Sequence, residues 1–246
     1  MKFRLLIVFF FTTLLLGCGS AELESKVEAQ DERLSKIESQ LTQLIELSKP
    51  KGSSDEERKV NFNDGIALGN ESAEYAVIEF TDLLCPFCER FHKETFSRIK
   101  SELIDKGELL YVARELPLHQ LHPQAPMAAV FARCAGEQDS YWEAKDIIFE
   151  NRTTFQATTM MEEIKIDGVD YELLAECIDG SDVKRSVQGS LNYAVSLGLS
   201  STPTLLIGKN LGDGIVNIVK MSGAKDFETF LEALETSKNL NSSDTE

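Results

Sequence analysis

At 246 residues, with 42% apolar side chains and one tryptophan, the chain can build one ordinary globular core with appendages and is short for two. Its formal charge of −16 speaks against a nucleic-acid partner, because phosphate recognition needs a basic face, and against electrostatic docking on anionic lipid. Any membrane attachment must come from a segment or a covalent lipid.

The amino terminus offers a candidate for such an attachment. Met1-Lys2-Phe3-Arg4 is a short cationic start, and the apolar run from residue 5 to residue 16 has the length of a leader and is too short to span a bilayer. Leu15-Leu16-Gly17-Cys18 resembles the lipobox of bacterial lipoproteins, with Leu16 where a small residue is usual. That reading removes residues 1–17 and places a lipid on Cys18. Ordinary leader cleavage near Gly17 to Ser20 is the alternative, and both imply export. In an exporting route the five cysteines are read against an oxidising compartment. With Cys18 lipidated, the close pair Cys85 and Cys88 and the distant pair Cys134 and Cys177 form an even remainder that fits two bridges.

Residues 18–49 carry a heptad seam: Leu23, Val27, Leu34, Ile37, Leu41 and Leu44, with Gln30 in the one polar slot. A parallel, in-register coiled coil pairs Lys26 with Asp31 and Arg33 with Glu38 across chains, and both pairs attract. A homo-oligomer through residues 21–48 is therefore expected. An amphipathic helix folded back on its own domain would show the same stripe. Pro50, Gly52, Ser53 and Ser54 open a polar linker, residues 50–61.

Globular texture follows. Ala76 to Thr81 reads as a buried strand, a helix runs from Pro86 to about Asp105, and Leu109 to Arg114 reads as a second strand. Residues 122–198 are helix-patterned, with stops near Asn151, Gly168 and Gly180. Thr204 to Ile207 and Ile215 to Val219 form a hairpin around Gly208, Gly212 and Gly214. A last helix spans Asp226 to Leu234, and residues 237–246 read as a disordered tail. The order predicts an α/β fold, βαβ then ββα, with helices inserted between.

The chemistry centres on Cys85-Pro86-Phe87-Cys88. Pro86 suits the first helical position, so Cys85 stands at a helix N-terminus, whose dipole and free N–H groups favour its thiolate. Cys88, one turn inside, is the less exposed, resolving thiol, and Cys85 the accessible nucleophile. The same spacing also serves as half a zinc site, for which His119 with His122, or Cys134 with Cys177, would have to complete the ligands. The two histidines read as surface or capping residues and His92 as a helix-surface residue, so neither a metal nor a cofactor is called for.

Ile66-Ala67-Leu68-Gly69-Asn70, then Val77 to Asp82 running into Cys85-Pro86-Phe87-Cys88-Glu89-Arg90-Phe91-His92, resembles the opening of the DsbA-like thioredoxin family of bacterial envelope proteins. Leu116-Pro117-Leu118, His122-Pro123, Phe131 to Ala135, Tyr141-Trp142 and Asp146 resemble the start of that family's helical insertion. Gly198 to Thr204 resembles its cis-proline loop. The resemblance runs from about residue 62 to residue 236 and implies a thioredoxin fold in two parts, 62–118 and 191–236, around an inserted helical domain, 119–190.

It also implies roles. Glu79 is similar to the family's buried acid that relays protons to the resolving cysteine. Pro203 would be cis, placing Thr202 beside Cys85 to bind a client strand together with Pro86 and Phe87. Cys134 and Cys177 would form a structural disulfide. The implied activity is formation, reduction or isomerisation of disulfides in cysteine-containing exported proteins, with a membrane or thioredoxin-like redox partner resetting the pair. Pro-Phe between the cysteines lacks the histidine of strongly oxidising relatives, and an oligomeric stem suits isomerase or reductase work. The competing reading is a zinc-binding envelope lipoprotein, or an adhesin or chaperone with a structural CxxC.

Overall fold

The computed structural model describes residues 25–27, 29–40, 59–157, 159 and 165–242. The expected leader, Cys18, Leu23, Leu41, Leu44, residues 50–58 of the linker and residues 243–246 lie outside these. The chain divides into two compact units, residues 1–52 and residues 53–246. In the first, residues 25–27 and 29–40 are helical, and Val27, Leu34 and Ile37 are 50%, 56% and 58% exposed. Among the described residues, no helix is long and apolar enough to cross a membrane.

The second unit is built on a six-stranded sheet: β1 (Val60–Asn61), β2 (Ile66–Gly69), β3 (Tyr75–Thr81), β4 (Leu109–Glu115), β5 (Thr204–Asn210) and β6 (Gly214–Ser222), in the order β1-β6-β5-β3-β4-β2. β3 and β4 run parallel and the remaining pairs antiparallel. β3 and β4 are buried along their whole length, which their β-branched, aromatic and alanine content permits on both faces. β1 extends the sheet two residues upstream of the boundary expected at residue 62, and β2 adds an antiparallel edge on β4. In the β5–β6 hairpin the register shifts between Ile207 and Lys209. A Cβ on Gly208 would there stand 2.5 Å from the Val216 carbonyl oxygen, so the bulge requires glycine.

Helices cover both sheet faces. α1 (Pro86–Phe91) continues through a π-helical stretch, His92–Phe96, a turn of α-helix, Ser97–Ile99, and a second π-helical stretch, Lys100–Ile104. Phe91, Phe96, Ile99 and Ile104 from this run pack with Val77, Tyr111, Leu205 and Phe230 on one face. The other face sets Ala76, Ile78 and Phe80 against Ala194 and Leu199. The inserted helices are α2 (Ala125–Gly136), α3 (Tyr141–Glu150), α4 (Tyr171–Asp179) and α5 (Asp182–Ser196). Buried alanines at 125, 128, 129, 132 and 135 let α2 pack closely at the centre of their own core.

Two expected boundaries differ. α5 runs unbroken through residue 190, where the insertion was to end, because Val187, Ser190 and Ala194 form one buried stripe. The last helix, α6 (Phe227–Ser242), continues past Leu234 into the segment expected as a tail. Within this extension Ser237 is buried and donates a hydrogen bond to the Asn217 carbonyl of β6 at 3.3 Å, which ties the segment to the sheet.

Candidate active site

The C-terminal ends of the parallel strands β3 and β4 and the N-terminal end of antiparallel β5 lie at one edge of the sheet. Their connections gather residues 82–85, 116–122 and 199–203 there. Asp82, fully buried, ties two of these together: Oδ1 accepts from the Leu84 N–H at 2.8 Å, and Oδ2 accepts from the Leu118 N–H at 2.9 Å and lies 2.8 Å from His122 Nδ1. His122 is thus held by a buried carboxylate rather than standing as a surface or capping residue, whereas His119 is exposed. The Cys85 N–H closes the turn by donating to the Asp82 carbonyl at 3.0 Å.

Cys85 occupies the cap position of α1 with extended backbone, Pro86 starts the helix, and the Glu89 N–H donates to the Cys85 carbonyl at 3.1 Å. Arg152, from the turn after α3, binds Glu89 Oε2 at 2.6 Å and donates to the Leu84 carbonyl at 3.4 Å, gripping the chain on both sides of Cys85. The Thr202–Pro203 peptide bond is cis. This loop is pinned by the Gly223 N–H, which donates to the Pro203 carbonyl at 2.8 Å, and its Thr202 carbonyl oxygen stands 3.8 Å from Cys85 Sγ. Cys85 is accordingly only 5% exposed, less open than the sequence suggested, because the loop lies over it. Phe87 is 54% exposed and stacks under the Arg90 guanidinium.

Both thiols are free, and they differ sharply. The Cys85 thiol is lowered to about 5, chiefly by its hydrogen bond with the Cys88 side chain; burial opposes this, and the Cys88 N–H, Thr202 and the Phe87 N–H add to the lowering. Burial, and then Cys85, push the Cys88 thiol well above the ordinary value. The Asp82 N–H points at Cys88 Sγ at 3.5 Å. At neutral pH the outer sulfur is a thiolate and the inner one a thiol, the arrangement that a nucleophile and its resolving partner require.

Glu79 on β3 is 1% exposed and paired with Lys145 of α3, whose Nζ lies 2.6 Å from Glu79 Oε2. Lys145 is itself fully buried, its charge also facing the Phe96 and Trp142 rings at 5.3 and 5.0 Å. Sequence reasoning missed Lys145. The available signal was a lone lysine on the stripe of Tyr141, Ile148 and Phe149, which demands a buried counter-charge. His92, expected on the helix surface, is 8% exposed, packs between Phe96 and Phe149, and contacts Asp146 through Nε2. The π-helical stretch that begins at His92 coincides with this inward placement.

Cys134 of α2 and Cys177 of α4 are joined, with S–S 2.02 Å. Neither can therefore complete a zinc site with the Cys85 pair.

A family model described as thioredoxin matches residues 61–235. A Salinispora tropica relative named Na(+)/H(+) antiporter NhaA 3 is 26% identical over 156 residues, covering 63% of this chain and 23% of the relative. A Rickettsia felis relative named as a protein-disulfide oxidoreductase is 26% identical over 188 residues, covering 74% of this chain and 65% of the relative. The chain thus spans under a quarter of the first relative and just under two thirds of the second. The crystal structure of alpha-DsbA1 from Wolbachia pipientis superposes with a TM-score of 0.64 at 22% identity, covering 75% of this chain and 96% of that one.

Proposed function

The chain belongs to the thioredoxin family, and on that premise we propose that it is a thiol:disulfide oxidoreductase acting on cysteine-containing exported proteins. Its fold is the thioredoxin-like sheet with inserted helices. The observation that carries the function is the inequality of its two thiols: Cys85 lowered to about 5 at a helix start, Cys88 raised and buried one turn behind.

With the pair oxidised, a client thiolate attacks Cys85 Sγ. A Cys85–client bond forms, the Cys85–Cys88 bond breaks, and Cys88 departs as a thiolate that takes up a proton. A second client thiolate then attacks the client sulfur and releases the Cys85 thiolate, so two client thiols are oxidised as the pair is reduced. Reduction is the reverse, and isomerisation uses the mixed disulfide without net transfer. Glu79 serves Cys88 as its proton partner. Thr202 and Pro203 hold the client strand by its backbone, and Pro86 and Phe87 meet its side chains. The Cys134–Cys177 bridge is structural. A membrane or thioredoxin-like redox partner restores the starting state, and no cofactor enters the exchange.

Residues 1–17 direct export and Cys18 carries a lipid, placing the enzyme in the cell envelope, facing the periplasm. Residues 21–48 associate in parallel. The exposure of Val27, Leu34 and Ile37, all in helical residues, supports that association, which suits rearrangement or reduction of misbridged clients. Sedimentation of the soluble chain with and without residues 20–50 tests it, and equal monomer masses would end it.

The decisive experiment for the activity is the Cys88→Ala variant. It should accumulate mixed disulfides between Cys85 and envelope proteins, and a variant that traps none would overturn the oxidoreductase reading. The reduction potential of the pair, together with refolding of a scrambled substrate, assigns the direction.

A further inference from the structure

Cys85 and Glu89 stand four residues apart across the first turn of α1, the spacing that puts two side chains on one helix face. A thiolate and a carboxylate so placed repel each other. Lys93, and then Arg152, hold the Glu89 carboxyl below its ordinary range, so it is ionised wherever the Cys85 thiolate is.

Each oxygen of Glu89 has its own cation: Lys93 Nζ lies 2.8 Å from Oε1, and Arg152 Nε lies 2.6 Å from Oε2. The two cations are placed differently. The Lys93 side chain is 50% exposed and runs along the helix surface, where water screens it. The Arg152 side chain is 21% exposed, arrives from the turn after α3, and sets Nη1 3.4 Å from the Leu84 carbonyl oxygen. That carbonyl belongs to the peptide unit that carries the Cys85 N–H, and the N–H itself donates to the Asp82 carbonyl. Of the two cations, Arg152 thus touches both the backbone of the nucleophile and the anion that opposes it. The other charges about Cys85 are engaged elsewhere. Asp82 accepts from the Leu84 and Leu118 N–H groups and faces His122, Glu79 pairs with Lys145, and the Arg90 guanidinium lies over the Phe87 ring at 5.4 Å.

We propose that Arg152 is a positioning residue for Cys85: it cancels the charge of Glu89 and fixes the Leu84–Cys85 peptide, so that the first turn of α1 favours the thiolate and the Cys85–Cys88 pair becomes more oxidising. This role rests on the exchange reading above and gives the pair's potential a source in the inserted helices. The sign follows from the reaction. When the pair oxidises a client, the bond between Cys85 and the client sulfur breaks, and its electron pair stays on Cys85 Sγ as the thiolate. Whatever stabilises that thiolate stabilises the reduced pair and raises its potential. Arg152 acts through Glu89 and the backbone, without a contact to either sulfur among the described interactions.

The test uses the full-length protein, with alkylation of Cys85 by iodoacetamide followed across pH and the pair equilibrated in glutathione redox buffers. Arg152→Gln should raise the alkylation midpoint by about one pH unit and lower the pair's equilibrium constant against glutathione roughly tenfold, which is about 30 mV. Arg152→Lys keeps the charge and should recover most of both shifts. Adding Glu89→Gln to Arg152→Gln removes the uncancelled anion and should return the midpoint to its native place. Lys93→Gln strips an equal charge from the same carboxylate at the surface and should move the midpoint far less. A native midpoint and potential in Arg152→Gln would overturn the role. So would a double variant as displaced as the single one, because a purely mechanical grip is not restored by removing Glu89. A shift in Lys93→Gln equal to that in Arg152→Gln would overturn it as well. If Arg152→Gln fails to fold by near-ultraviolet dichroism, Glu89→Gln and the double variant decide: the midpoint should fall in the first and come back in the second, and equal midpoints would end the idea. Failure of Cys88→Ala to trap any client would instead overturn the exchange reading itself.

Discussion

Cys134 and Cys177 meet across two helices, α2 and α4, 43 residues apart in sequence, whereas Cys85 and Cys88 stand a single turn apart at one helix start. Greater exposure does not mark out the reactive pair: Cys88 and Cys134 are both at 0% exposure and Cys85 at 5%, whereas Cys177 of the bridge is only half-buried at the margin of the same apolar cluster. The difference lies in what points at the sulfurs. The first pair belongs to the apolar core of the insertion, Cys134 within it and Cys177 packed against it. The second has helix N–H groups, the Thr202 carbonyl and a buried carboxylate–lysine pair behind it. Reactivity here follows from the dipoles arranged around a sulfur more than from its access to water.

The comparison breaks most simply at Cys85. Cys85→Ala should bring reduction of a model disulfide down to the uncatalysed rate, while Cys134→Ala with Cys177→Ala leaves that rate unchanged. Residual catalysis in the first variant would place the nucleophile elsewhere. The same double variant should lose about 4 kcal/mol of stability, since the bridge spans 43 residues of chain, read as a lower denaturant midpoint with a steeper slope because the unbridged unfolded chain is less compact. A loss in exchange rate instead would make the bridge part of the site.

Lys145→Met should cost about 3 kcal/mol by stranding the Glu79 charge, and adding Glu79→Gln should recover most of this in denaturant titrations. A single variant as stable as the native chain would show that the pair is not held as an ion pair. The gentlest probe is pH. Because Cys85 is lowered from 9.0 to about 5, its thiolate stabilises the reduced fold fully above about pH 9, and this contribution fades as pH falls through about 5. Alkylation of Cys85 should titrate with a midpoint near that lower value; a midpoint above pH 8 would remove the asymmetry between the two thiols.

Much of this arrangement was legible in the chain. The strand before Cys85, Pro86 at the helix start and the hairpin after Pro203 each follow from local rules of burial period, proline geometry and turns. The long-range partners were not. Lys145 lies 66 residues from Glu79, and His122 lies 40 from Asp82; no local period encodes either meeting. His92 was misplaced because one polar side chain on a helix looks like a surface residue until its aromatic neighbours, Phe96 and Phe149, are known. Ser237 shows the same limit at the other end: buried and hydrogen-bonded to β6, it lies in a helix that composition alone would end.

The unbroken course of α5 bears on how this protein can be taken apart. Its first turns belong to the inserted core, through Val187, and its last belong to the sheet, through Ala194, just before the chain turns into the loop over Cys85. Removing the insertion would saw through a helix rather than cut a linker. An engineer who wished to transplant the inserted helices, or to shrink the protein to its sheet, would have to rebuild the support of the Thr202–Pro203 loop. The inserted helices and the loop over Cys85 come as one piece.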